Sequence, residues 1–208
     1  GTYRRTGNDN RVTGGITILD GKVLVNNDAA EKKKKKLNGA TGYKSGDNNA
    51  VAVRKEGTIG GDGSIALPTE VFGTMAPGDD NIGILHIADY VKGTNPTLTL
   101  RPTAILNMEI RSDNDHDAIE VEGNVAYNNM DENFNTSDKM PRMVILLTED
   151  AKLKKGDELV LLTAAGKEAK DNQEWNFEII YPKAYTWEVK ERKGEDGRIE
   201  LVAMITSE

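Results

Sequence analysis

Short segments of alternating apolar and polar residues, each closed by a glycine or aspartate turn, run through most of the chain. Ile16-Thr17-Ile18 leads through Asp20-Gly21 into Val23-Leu24-Val25. Val51-Ala52-Val53 leads through Gly57-Thr58-Ile59 and Gly60-Gly61-Asp62-Gly63 into Ile65-Ala66-Leu67. The same pattern returns at Val71, with Ile84-Leu85-His86-Ile87 beyond, and again from Leu98 to Gly123. A period of two puts alternate residues on opposite faces of a strand, so these segments predict strands; a helical period is hard to find. The stretch Trp175–Ile205 holds longer alternating strands, and Asp196-Gly197 between Val189 and Ile199 predicts a hairpin turn.

Val51, Val71, Leu98 and Ile119 begin comparable units about 20 to 27 residues apart, a spacing found in repeat architectures. Strands this short do not suit a free-standing sandwich. They suit a right-handed parallel β-helix, in which each coil hydrogen-bonds to its neighbours and inward Val, Ile and Leu stack in a column. Val51, Val53, Ile59, Ile65, Leu67, Leu85, Ile87, Leu98 and Leu100 are the expected column. The expected stack has roughly six to eight coils at about 4.8 Å each. Gly57, Gly60, Gly61, Gly63 and Gly73 are expected at corners with positive φ. The repeat region covers 1–166, with polar excursions at 28–48 and 128–139. Residues 167–208 form a β-rich cap in the same structural unit, because an open coil end leaves unpaired edges.

These residues resemble the passenger-associated β-helical repeats of bacterial autotransporters and adhesin-like surface proteins. Those repeats read Gly-Thr-Leu-Gly-Gly-x-Gly-x-Ile, then Gly-Thr-Leu-x-Pro-Gly, and close on Asp-x-Leu-x-Val-x-Gly. The counterparts are Gly57-Thr58-Ile59-Gly60-Gly61-Asp62-Gly63-Ser64-Ile65, Gly73-Thr74-Met75-Ala76-Pro77-Gly78 and Asp117-Ala118-Ile119-Glu120-Val121-Glu122-Gly123. Leu153 to Gly166 is similar to the strand pair that closes such domains. The resemblance implies an extracellular or cell-surface location and a place in a larger bacterial protein. It says little about activity, because such folds carry many functions.

Composition narrows the chemistry. The 208 residues include no Cys, which removes disulfides, thiol catalysis and Cys-ligated metals. No apolar run approaches the roughly 20 residues that span a bilayer, so direct membrane insertion is not expected. The net charge of −7 is unevenly spread: residues 1–60 carry 12 basic and 6 acidic side chains, while the rest is acidic. Most of the basic excess is the run Lys32–Lys36, with no aromatic residue interleaved, and it reads as a solvated loop rather than a nucleic-acid surface. The start Gly1-Thr2-Tyr3-Arg4-Arg5 lacks an initiator Met and reads as that of an excised piece.

Three groups of residues merit weighing as sites. Asp113, Asp115 and Asp117 alternate like the opening of a calcium loop, but Ala118 stands where glycine is needed, so a polar turn is the expected reading and no cofactor is assigned. His86 lies on the outer face of an apolar strand and His116 lies in the acidic turn. Neither has a nucleophile elbow nearby, and no catalytic residue is assigned. The Gly60–Gly63 run lacks the ending and the helix of a phosphate loop. Trp175, Tyr185 and Trp187, with Phe177 and Tyr181, would either plug the end of the coil stack or stack on sugar rings.

The expected function is a non-catalytic scaffold, spacer or adhesin-like module that partners other domains of its parent protein, including one acting on polysaccharide. The alternative is a carbohydrate-binding module using Trp175, Tyr185 and Trp187. A glycan-cleaving β-helix enzyme comes third, since no pair of carboxylates stands out among 34 acidic residues.

Overall fold

The computed structural model describes residues 1–6, 15–26, 50–78, 81–88, 97–133, 135–167, 175 and 177–207. They form sixteen strands and no helix. In chain order these are β1 (Thr2–Thr6), β2 (Ile16–Asn26), β3 (Val51–Gly61), β4 (Ser64–Ile65), β5 (Thr69–Val71), β6 (Thr74–Pro77), β7 (Ile84–Ile87) and β8 (Leu98–Leu100). They continue with β9 (Ile105–Ser112), β10 (Asp115–His116), β11 (Ala118–Tyr127), β12 (Arg142–Leu147), β13 (Glu158–Lys167), β14 (Glu178–Ile180), β15 (Thr186–Lys193) and β16 (Ile199–Ser207). All belong to one curled sheet of mixed pairing, whose longest hydrogen-bonded path is β14-β12-β9-β6-β3-β5-β8-β11-β13-β16-β15.

Three ladders organise the sheet. In the first, β1, β2, β3, β6, β9, β12 and β14 lie side by side, all parallel. Val23, Ile59, Met75, Leu106, Met143 and Ile179 fall in one register row there, facing inward. The second ladder joins the first halves of β2 and β3 to β5, β8 and the end of β11, with Ile18, Val53, Val71 and Leu100 in a row. In the third, β4, β7, the start of β11 and β13 are parallel, and β16 and β15 follow antiparallel. From Val51 the chain visits second, first and third ladder in that order, and repeats the order through β13.

The nine expected column residues are all at most 2% exposed and belong to one apolar cluster. Full burial of such a side chain stabilises by about 1.5–3 kcal/mol, so stacked aliphatic rows can hold strands of two to four residues in place. Trp187, Leu201, Ala203 and Ile205 belong to the same cluster, so β15 and β16 share the core. The hairpin turn at Asp196-Gly197 joins β15 to β16, with Gly197 at φ 84°.

Some expectations need correction. Of the five corner glycines only Gly61 has positive φ, at 104°. Gly57, Gly60 and Gly73 are needed for close approach instead: a Cβ on Gly73 would run into the carbonyl oxygens of Arg54 and Gly57. Leu153–Gly166 is not a strand pair; Leu153 precedes the single strand β13, which pairs with β11 on one side and β16 on the other. The excursion expected at 28–48 lies outside the described residues. Described residues of 128–139 do leave the ladders, yet they are fastened back: Lys55 N–H donates to Glu132 Oε1 at 2.8 Å, and Arg101 Nη1 donates to the Met130 carbonyl at 3.4 Å.

At the corner between second and first ladders, Phe72 is 3% exposed and lies between two guanidinium groups. Arg54 Cζ is 5.2 Å and Arg101 Cζ 5.1 Å from its ring centre. Arg101 also donates from Nε to Glu70 Oε1 at 2.8 Å. The corner is thus a polar clasp over an aromatic plug.

Candidate functional site

The acidic turn does not act as one group. β9 and β10 fold into a short antiparallel hairpin around Asp113 and Asn114. Asp115 Oδ2 accepts from Arg111 Nη1 at 2.5 Å, and Arg111 Nε donates to Asp150 at 3.2 Å. Asp117 turns the other way and is 1% exposed. Its Oδ1 accepts the Gly83 N–H at 2.8 Å and its Oδ2 the Glu109 N–H at 2.9 Å. Burial pushes its pKa up to about 7, against the two amide donors that pull it down, while Glu109 and Asp115 add repulsion. Asp117 therefore works as a clip between neighbouring passages of chain. Among the described residues no three His, Asp or Glu side chains gather as metal ligands.

Winding brings together residues that are distant in sequence. Ser64, His86, Glu120 and Thr163 occupy one register row on the outer side of the third ladder. Leu85 and Ile87 point inward, so His86 points outward, where its Nδ1 lies 2.8 Å from Glu120 Oε2. A carboxylate on Nδ1 orients an imidazole as a base. A nucleophile must also be reachable, and Ser64 is only 1% exposed. His116 Nε2 sits 3.3 Å from the Val160 carbonyl, a structural contact.

Three of the aromatics meet on β15 and the segment before it. Trp187 is 9% exposed, with Tyr181 stacked parallel at 6.3 Å and Tyr185 edge-on at 6.2 Å. Its indole N–H donates to the Pro182 carbonyl at 3.3 Å. Trp175, Phe177 and Tyr185 are half-buried against the core, and the Trp175 backbone N–H donates to Glu191 Oε2 at 3.0 Å. Of these five rings Tyr181 is the most open to solvent, at 42%. No family model matches the chain, and no curated protein is similar to it in sequence.

A cleft of about 600 Å³ opens beside the corner where the fastened excursion meets the first ladder. Its lining includes Lys55 and Glu56 of β3, Arg142 of β12 with its register partner Glu178 of β14, and Asp138 and Lys139 of the excursion. Pro102, Ile105 and Met140 supply apolar surface. The wall is held by Tyr127, whose hydroxyl donates to the Lys139 carbonyl at 2.5 Å, and by Asp131, whose Oδ1 accepts from Asn133 and Asn135 N–H. Sequence reasoning did not find this cleft. The acid–base neighbours Lys55-Glu56 and Asp138-Lys139 were visible in sequence, but the Arg142–Glu178 pairing depends on a register that only the winding fixes.

Proposed function

We propose that the chain is a right-handed parallel β-helix module that serves as a rigid extracellular scaffold or spacer within a larger bacterial surface or secreted protein. The observation that carries this reading is the repeated order of the three ladders over an unbroken inward apolar row. Parallel strands joined by a crossover in one sheet are almost always connected right-handedly, which supports the hand. The resemblance of Val51–Gly123 to autotransporter passenger repeats supports the cellular setting. The most distinctive polar groups serve as fasteners: Asp117 clips two passages and Arg101 clasps a corner. Such a module presents partner domains and performs no chemistry itself.

The second reading is a carbohydrate-binding module centred on Trp175, Tyr185 and Trp187, favoured by the exposed Tyr181 ring stacked on Trp187. A glycan-array screen of the wild type, with Trp187→Ala and Tyr181→Ala beside it, tests the two. The scaffold reading expects no hit that depends on these rings. A saccharide bound by the wild type and lost in Tyr181→Ala, with an unchanged melting temperature, would overturn it.

A further inference from the structure

We propose that the cleft between the 128–139 excursion and the first ladder binds a small zwitterionic ligand, one bearing a carboxylate and an ammonium group on a short, partly apolar body. Three observations carry this. First, the described residues of the cleft include three cations and three anions, which fall in neighbouring pairs: Lys55 with Glu56, Lys139 with Asp138, Arg142 with Glu178. Among the described residues no ion pair joins any two of the six. Their charges remain available to a ligand, and a single-signed ligand would meet as much repulsion as attraction.

Second, the loop wall is built. Ordering a polar loop costs conformational entropy, and this one is offset by ties at Lys55 N–H, Arg101, Tyr127 and within the Asp131 turn. Those ties hold Asp138 and Lys139 in the same cleft as Arg142 and Glu178. Third, the volume of about 600 Å³ falls among small-molecule sites, and Met140 and Ile105 add apolar surface to the lining. Among the described residues that line the cleft, none is aromatic.

The site goes beyond the scaffold reading, which stands or falls without it. The test is a titration of ¹⁵N-labelled protein with the free dipeptide Ala-Ala, followed by amide chemical shifts. N-acetyl-Ala-Ala amide and maltotriose are the comparison ligands. The expected result is saturable shifts confined to the lining of the cleft, with Lys55, Asp138, Lys139, Arg142 and Glu178 among the residues that move, and at least about tenfold weaker binding for the capped peptide. Asp138→Asn and Lys139→Gln, on the loop and away from the core, should each weaken binding without changing the melting temperature. Absence of saturable shifts at millimolar dipeptide, equal binding of the capped peptide, or preferential binding of maltotriose would each overturn the proposal.

Discussion

Asp117 accepts the backbone N–H of Gly83 at 2.8 Å although 34 positions separate the two in the chain. The contact joins the start of β11 to the residue before β7, and the Ala118 N–H returns to the Gly83 carbonyl at 3.2 Å. A buried carboxylate thus substitutes for backbone pairing where the ladder begins.

The raised pKa of Asp117 gives the clip a pH signature. Its folded value of about 7 lies above the ordinary 3.8, so the folded protein holds a proton that the unfolded chain releases. Its contribution is full below pH about 4 and is lost as pH rises through 7. Asp117→Asn, which cannot ionise, should remove this slope. The stability of wild type relative to the variant should fall by about 3 kcal/mol from pH 5 to pH 8, measured by urea denaturation. Parallel curves for the two proteins would refute the assignment.

Gly73 and Gly156 should respond differently to alanine. Gly73→Ala puts a Cβ against the Arg54 and Gly57 carbonyls and should cost about 3 kcal/mol or more. Gly156, at φ 93° with open space around it, should cost only about 1–2 kcal/mol. Denaturant midpoints give the order, and a larger loss at Gly156 would contradict the close-approach argument.

Arg101→Lys keeps the charge of the corner clasp but loses the flat guanidinium that covers Phe72 and reaches Glu70 and Met130. A loss of about 1–2 kcal/mol is expected. Amide exchange should also quicken at Lys55, because the excursion carrying Glu132 loses one of its ties. Unchanged exchange there would separate the clasp from the loop.

Trp187→Ala empties a site that is 9% exposed and packed by Tyr181 and Tyr185. It should lower stability by about 3–5 kcal/mol, seen as a large drop in melting temperature. A melt that matches the wild type would mean that the ring contributes little to the core.

Alternation was the legible part of the fold. Leu85-His86-Ile87 announces two inward side chains and one outward, and burial follows that pattern. Facing was therefore readable, while adjacency across circuits was not. His86 meets Glu120, and Arg142 falls in register with Glu178, because corners of unequal length still return the chain to the same ladder position. Glycine at a turn implies a left-handed corner at Gly73, where the constraint is the nearness of two carbonyl oxygens. Asp117 was placed in a polar turn, and its burial follows from two amides that need acceptors, a demand that belongs to the ladder and leaves no mark in the local sequence.

The passage from second to first ladder takes only residues 101–104 after β8, yet 128–141 after β11, and the inward rows on either side keep their register. Corner length is therefore uncoupled from core geometry. New surface can be written into a corner, or erased from it, without renegotiating the packing beneath, so neighbouring corners are free to diversify independently while the interior stays under a single constraint.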